Sequence, residues 1–360
     1  MKENKTEKSR RVYVCHTYYH IYVTLLKELN FQHQDKADRA DIVLSRMSPE
    51  LLEPDFINRL RESAVFEKVL LMNERRDSEF PELQKYRRSS GGFFAKMLRR
   101  MILSKKFPKK LEGCIDVDFA GYKDIYVYCD EDPIGYYLNY KKIRYHAVED
   151  GLDCNKDFDT VIHFNQKFWP LKRWMAKKGL IFLENGYSRY AVDMEVNDLS
   201  CIAYKHAGWK EVPRKLLKEQ LSDSDKETIF AVFIKNADVL IEQCSDLRKE
   251  NVLILTQPLC SMDIRQQIFE DIIEKYAKGA QVLIKPHPRD TLDYKEKFKE
   301  CLVLEQKFPV EVLNFRPEIR FKRVISVITT AIDAIEFADE KINLGPDFLD
   351  LYEEPEKHRY

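Results

Sequence analysis

The stretch KDIYVYCDEDPIGYYLNYKKIRYHAVEDG, residues 123–151, decides the fold. KDIYVYC is a short, nearly continuous apolar run. PIGYYLNYKK has helical spacing, and IRYHAVEDG is a second apolar run that ends in acidic residues. A strand buried on both faces reads as an unbroken apolar run, and two such strands joined by a helix make the parallel βαβ unit. The pattern extends in both directions. Upstream, VYVC (12–15) precedes the amphipathic HTYYHIYVTLLKEL, and ADIVLS (40–45) and KVLLMN (68–73) flank a helical pattern around Pro54–Ser63. Downstream, NVLILTQPL (251–259) precedes a helix from about Ile264 to Lys278, followed by QVLIKPHP (281–288), CLVLEQK, RVISVITTAI and KINLG. Strands alternating with helices predict an α/β protein of two Rossmann-like, doubly wound domains facing a central cleft.

The chain has 360 residues, more than one domain of about 100–200 residues holds. The expected division is an N-terminal Rossmann-like domain over 1–175, a connecting helical region over 176–245 that contains the polar SDSDKE, a C-terminal Rossmann-like domain over 246–345, and a tail over 346–360. Sixty Lys and Arg balance sixty Asp and Glu. No global field therefore recruits nucleic acid, and a preference for an anion or a membrane must come from a local patch. The eight cysteines form no C-x-x-C pair and several sit in apolar runs, as reduced thiols do. The opening MKENKTEKSRR lacks the apolar core of a signal peptide, and no run approaches the roughly 18 apolar residues of a membrane span. A cytoplasmic location is expected.

In doubly wound sheets ligands bind beyond the carboxyl ends of the strands, and the polar clusters of this sequence fall there. KPHPRD (285–290) puts Lys285, His287 and Arg289 on a loop stiffened by Pro286 and Pro288. That suits a phosphate, and His287, titrating near neutrality, is suited to protonate it or hydrogen-bond it. VEDG (148–151) sets Glu149 and Asp150 side by side before Gly151, so that one carboxylate can serve as a general base. SVITTAIDAIEFA (326–338) reads as a strand entering a helix, with Thr329 and Thr330 at its first turn as a phosphate seat. Glu311 in FPVEVL (308–313) is either an acceptor for ribose hydroxyls or the polar face of a strand. CDEDP has the D-x-D spacing of a metal–diphosphate site, but its place before Pro133 reads rather as a helix cap. ENG (184–186) is a turn. His16 and His20 in HTYYH lack a third metal ligand, so His16 and Tyr18 either touch a sugar or pack. Residues 85–110 carry ten Lys or Arg and no acid, interleaved with Phe93, Phe94, Met97, Leu98, Met101 and Ile102. A basic amphipathic helix of this kind suits an anionic membrane surface.

Glu149-Asp150-Gly151, His287-Pro288 and Thr329-Thr330, in that order, resemble the acidic-acidic-Gly, HP and Ser/Thr-pair motifs of the bacterial sialyltransferases, especially glycosyltransferase family 52 of lipooligosaccharide and capsule synthesis. VYVCHTYYH and TQPL strengthen the resemblance, which spans about residues 12–335. It implies a GT-B fold and an inverting transfer of sialic acid from CMP-sialic acid to a hydroxyl, galactose for preference, of a bacterial surface glycan. By the same resemblance Glu149 or Asp150 deprotonates the acceptor, and His287 answers the leaving phosphate. Thr329 and Thr330 hold that phosphate, Glu311 the ribose, and Gly151, Lys285, Pro288 and Arg289 complete the donor side. Asp263 is a rival base, and His16 and Tyr18 stand on the acceptor side. Thr-Thr replaces the more usual serine. No metal or other cofactor is implied, because one phosphate leaves and a histidine with a helix N-terminus can meet its charge. The alternatives are another donor on the same scaffold (a CMP-linked nonulosonic acid, CMP-Kdo or a hexose nucleotide) and a non-catalytic adaptor docked on membranes through residues 85–110. The expected partners are a CMP-sugar, a glycan acceptor and the inner membrane surface. A homodimer is compatible with the sequence.

Overall fold

The computed structural model describes residues 10–35, 38–88, 90–151, 160–202, 208–245 and 250–355. The chain divides into two compact units, Met1–Asp225 and Lys226–Tyr360.

Among the described residues the first unit holds seven strands: β1 (Arg11–Cys15), β2 (Asp41–Ser45), β3 (Lys68–Met72), β4 (Asp124–Tyr128), β5 (Tyr145–Val148), β6 (Ala191–Val196) and β7 (Trp209–Glu211). They pair in the order β3-β2-β1-β4-β5-β6-β7, every pairing parallel. Order reverses between β1 and β4, which makes that gap the topological switch point. The apolar runs are buried as their composition requires: all five residues of β2 and four of the five in β1 and β4 are inaccessible. On neighbouring strands Tyr13 and Tyr126 stack with ring centroids 4.9 Å apart.

The division differs from the sequence expectation in the middle of the chain, since the first unit runs to Asp225. Residues 176–245 do not form a separate helical connector, because β6 and β7 extend the first sheet. AVDMEV escaped detection because its charges break the apolar pattern. Glu195, on β6, is nevertheless buried, where it pairs with the ammonium of Lys27 on helix Tyr18–Asp35. A paired charge enters a core at far lower cost than a lone one.

The second unit contains β8 (Asn251–Leu255), β9 (Gln281–Lys285), β10 (Leu302–Val303), β11 (Phe321–Ser326) and β12 (Ala338–Asn343) among the described residues. The order is β10-β9-β8-β11-β12, again wholly parallel, with its switch point between β8 and β11. Helix Met262–Tyr276 covers this sheet, burying Ile268, Phe269 and Ile272. The outer strand β12 is mostly exposed, and it pairs with β11 through Lys322–Asp339 at 3.6 Å and Arg323–Glu340 at 2.8 Å.

Three local expectations are corrected here. After β11 the chain makes a 3₁₀ turn at Thr330–Ile332 and enters β12, so no helix starts at Thr329. Asn314 clamps the intervening backbone outside helical geometry: its amide donates to the Ala334 carbonyl at 2.8 Å and accepts from the Glu336 N–H at 3.0 Å. FPVEVL is not a strand, since Val310–Phe315 is 3₁₀ helix behind Pro309. The segment after 345 is not merely a tail, because Pro346–Leu351 is 3₁₀ helix and Leu349 is fully buried in the second core. The described cysteines are free thiols, and no described helix is long and apolar enough to cross a membrane.

Gly135 shows how tightly helix Pro133–Lys141 is drawn to the end of β4. A Cβ built there would lie 1.9 Å from the Asp130 carbonyl oxygen and 3.0 Å from the Phe182 ring. Gly135→Ala is expected to cost about 3 kcal/mol, lowering the thermal midpoint by about 6–12 °C. Gly113→Ala, whose added carbon would meet only the Lys110 carbonyl oxygen at 3.8 Å, is expected to stay within about 0.5 kcal/mol. Circular dichroism melts of the two variants check the difference.

Candidate functional site

In the first unit the polar residues gather at the carboxyl ends of β1, β3, β4 and β5. His16 follows β1 and is buried. Its Nε2 lies 2.5 Å from Oε1 of Glu74, just past β3, and its Nδ1 is 3.6 Å from Asp132, past β4. The second oxygen of Glu74 accepts the Ile134 N–H at 3.0 Å, so one carboxylate both holds the imidazole and caps helix Pro133–Lys141. Burial pulls the His16 pKa down, but the charge and hydrogen bond of Glu74, then Asp132 and Asp150, outweigh it and push the ring up to about 9. Burial raises Asp132 to about 6 against the pull of His16.

His20, one helical turn beyond His16, is fully buried and stacks on Tyr128 with centroids 4.7 Å apart. Its Nδ1 accepts the His16 backbone N–H at 3.0 Å, which leaves the proton on Nε2. That Nε2 donates to Asp150 Oδ1 at 2.8 Å and to the Asp150 carbonyl at 3.0 Å. Burial lowers the His20 pKa, so this donor is a neutral imidazole.

Glu149 and Asp150 part company here. The Glu149 side chain is 2 % exposed, and its Oε1 accepts the Asn197 N–H at 2.5 Å and faces Arg214 at 3.4 Å. Asp150 is 55 % exposed and held from below by His20. Glu149 thus fastens the end of β5, and Asp150 presents its carboxylate outward. Gly151 follows it at a half-buried bend. Tyr18 is buried, donates to the Glu50 carbonyl and packs edge-on against Phe56.

Both acids of the D-x-D pair face groups of the protein. Asp130 is buried and accepts from Asn185 N at 2.6 Å, Tyr145 hydroxyl at 2.9 Å and Gly186 N at 3.2 Å. The donors come partly from the ENG turn, where Asn185 and Gly186 have φ of 54° and 73°. Asp132 occupies the N-cap position without a side-chain cap bond, a task that Glu74 takes over.

In the second unit KPHPRD forms a bend braced by Asp290. That buried carboxylate pairs with Arg265, and accepts from the Tyr294 hydroxyl at 2.7 Å and from Thr256 Oγ1 at 3.3 Å. Thr256 accepts in turn the His287 N–H at 3.1 Å. His287 Nδ1 accepts the Arg289 N–H at 3.1 Å, which leaves Nε2 to carry the ring proton. Burial, then the charges of Arg289 and Lys285, hold its pKa below the usual value. Pro288 and Arg289 are exposed beside it.

Lys285 does not join that surface. It is buried over the Phe308 ring at 4.4 Å, and its ammonium donates to the carbonyls of Pro286 at 3.1 Å and Gln306 at 2.9 Å. Burial takes it down to about 7, opposed by Glu311 and Glu305. Burial raises half-buried Glu311, with Lys285 in opposition. Across the switch point Gln257 Oε1 accepts the Ile328 N–H at 3.1 Å, and half-buried Thr329 accepts from Ala331 N at 3.2 Å. The side chain of Thr330 lies outside the described residues. Asp263 is exposed in the first turn of helix Met262–Tyr276, behind the Ser261 cap, where an acid complements the helix dipole.

Sequence reasoning missed Glu74, Arg214 and the bracing by Asp290. Glu74 lies two residues past β3, so the strand-end rule that located the other clusters applied to it as well.

The family model of glycosyltransferase family 52 matches residues 70–344. An uncharacterized protein of Haemophilus influenzae is 34% identical over 99 residues, which is 26% of this chain and 31% of that protein. The chain thus spans about a third of the curated relative it matches. Among solved structures, the α/β-galactoside α-2,3-sialyltransferase of Photobacterium phosphoreum matches with a TM-score of 0.50 at 12% identity, over 93% of this chain and 90% of that one. The 2,6-sialyltransferase of Photobacterium sp. JT-ISH-224, solved with CMP and lactose, gives a TM-score of 0.56 at 10% identity, over 93% and 71%. The GT-B domain of a Photobacterium damselae sialyltransferase gives 0.51 at 13%, over 91% and 88%. At these identities the likeness is one of fold: α/β, of the GT-B type.

A histidine whose folded pKa is raised lends stability in full below its ordinary 6.5 and loses it as pH climbs toward about 9. Denaturant titrations are expected to show that loss, roughly 3 kcal/mol between those limits, and Glu74→Gln is expected to flatten it. The His16 ring resonance is expected to titrate near 9, and that of His20 below 6.5.

Proposed function

This chain belongs to glycosyltransferase family 52, and we propose that it is an inverting, metal-independent sialyltransferase that takes sialic acid from CMP-sialic acid. The observation that carries the reading is the family match over residues 70–344. The acceptor proposed is a hydroxyl, galactose for preference, of a bacterial surface glycan such as lipooligosaccharide or capsule.

Asp150 is the base. Its exposed carboxylate, oriented by the Nε2–H of a buried neutral histidine, is available to take the proton of the acceptor hydroxyl. Glu149, buried on Arg214 and Asn197, is a positioning residue that fixes the turn bearing Asp150. The acceptor oxygen then bonds the anomeric carbon as the bond to the phosphate oxygen breaks, and the sugar is inverted. His287, with its proton on Nε2 and Nδ1 occupied, answers the charge on the departing CMP phosphate. Thr329 and Thr330 hold that phosphate together with Arg289, and Glu311 receives the ribose. Lys285 acts on the donor loop from beneath, through the carbonyls it holds. The exposed half of helix Phe93–Leu111, with Phe94 and Leu98 outward, keeps the enzyme at the inner membrane surface.

CMP release from CMP-N-acetylneuraminic acid, with galactose-terminated acceptors and EDTA present, tests the reading. Acceptor-dependent release is expected, with kcat reduced about 10²–10⁴-fold in Asp150→Asn and in His287→Ala. Glu149→Gln is expected to lose less kcat than Asp150→Asn. Release abolished by EDTA and restored by Mn²⁺ would overturn the metal-independent mechanism, and CMP that does not bind would overturn the donor.

A further inference from the structure

Helix Pro133–Lys141 runs from the candidate base toward the other end of the sheet. Its nine residues rise about 14 Å from Asp132, in the polar cluster, to Lys142, where the chain turns in the left-handed conformation with φ 58°. At that far end lies a groove of about 540 Å³. Six cations line it: Lys105, Lys106 and Lys109 from helix Phe93–Leu111, Lys142, Lys178 and Arg189. No carboxylate does. Tyr136 and Phe182, with ring centroids 4.1 Å apart, contribute aromatic wall.

A cluster of surface lysines is ordinarily neutralised by nearby acids, and the neighbours of this groove follow that rule. Lys110 pairs with Glu82 at 2.6 Å and Lys141 with Glu112 at 3.0 Å. The cations that line the groove are exceptions, since none of the six has a carboxylate within 4.0 Å among the described residues. Lys106 instead donates to the Tyr86 hydroxyl at 3.0 Å, and Arg189 lies 5.5 Å over the Tyr190 ring. Lys105 and Lys109 repel each other four residues apart on one helix face. Converging like charges without counter-charges hold the local potential that a multiply charged anion relieves. Glu82 and Glu112, which pair with Lys110 and Lys141, are engaged with cations outside the groove.

We propose that this groove is a second binding site, for a phosphate-bearing ligand with two or more clustered negative charges. The phosphate belongs either to the headgroup of an anionic lipid or to a soluble phosphate compound. The site stands at the opposite end of the sheet from Asp150, and it does not depend on the transfer reaction.

Inorganic pyrophosphate is the probe for calorimetry at low ionic strength, and vesicles of phosphatidylcholine with or without phosphatidic acid are the probe for co-sedimentation. Pyrophosphate is expected to bind, and raised salt to weaken it. The double variant Lys109→Glu/Lys178→Glu is expected to lose about tenfold or more in affinity, the scale of one charge-assisted contact. Lys68→Glu/Lys123→Glu, equal in charge but outside the groove, is expected to keep it, and matching melts show that both variants fold. Phosphatidic-acid vesicles that bind wild type, release it to pyrophosphate and fail with the groove variant identify the lipid source. Pyrophosphate binding lost in the groove variant without any vesicle effect identifies the soluble source. Absence of pyrophosphate binding, or equal losses in the two double variants, overturns the proposal.

Discussion

Among the described residues every strand pairing within each sheet is parallel, and this register constrains the rest of each unit. Helices cover a parallel sheet on its faces, so its central strands are largely apolar, as β1, β2 and β8 are here. Most of the polar groups singled out above lie at the carboxyl ends, where ligands bind in doubly wound sheets. His16, Glu74, Asp132, Glu149 and Asp150 all lie past such ends in the first unit, as do Thr256, Gln257, His287 and Thr329 in the second. The repetition in two separately cored units reflects this geometry and does not require similar sequences.

Within each cluster one buried carboxylate does the holding. Glu149 is tied to Arg214 and Asn197, Asp130 to the ENG turn and Tyr145, and Asp290 to Arg265 and Tyr294. Each is satisfied by several donors, as a charge taken out of water must be. The exposed neighbours, Asp150 beside Glu149 and Arg289 beside Asp290, gain fixed backbones from these anchors. A pair of adjacent acidic residues therefore has a division of labour, one pointing in and one out, which a strand's alternating side-chain directions favour at its end.

The fold was largely legible because the strands are short apolar runs separated by helical patterns. β6 was not legible, because Glu195 breaks its pattern and its partner Lys27 lies 168 residues away. The same distance problem hid Glu74, whose partners His16 and Ile134 come from other strand–helix units. Motif reading singled out VEDG and KPHPRD as clusters but could not tell exposed Asp150 from buried Glu149, nor exposed Arg289 from buried Lys285. Which of two neighbours faces solvent depends on long-range partners such as Arg214 and the Gln306 carbonyl. The helix expected after β11 failed for a similar reason, since Asn314, sixteen residues before Thr330, clamps that backbone.

The outer edge of the second sheet has a further consequence. A parallel sheet that ends in an unprotected strand offers a row of amides and carbonyls to any extended chain. β12 carries Asp339, Glu340 and Lys341 exposed along that border, two of them already engaged by Lys322 and Arg323 on β11. An arriving strand would have to accommodate these charged side chains at close range, which is how edge strands resist unplanned lengthening of a sheet. Colloidal behaviour at high protein concentration is thus safeguarded on this border by side-chain charge.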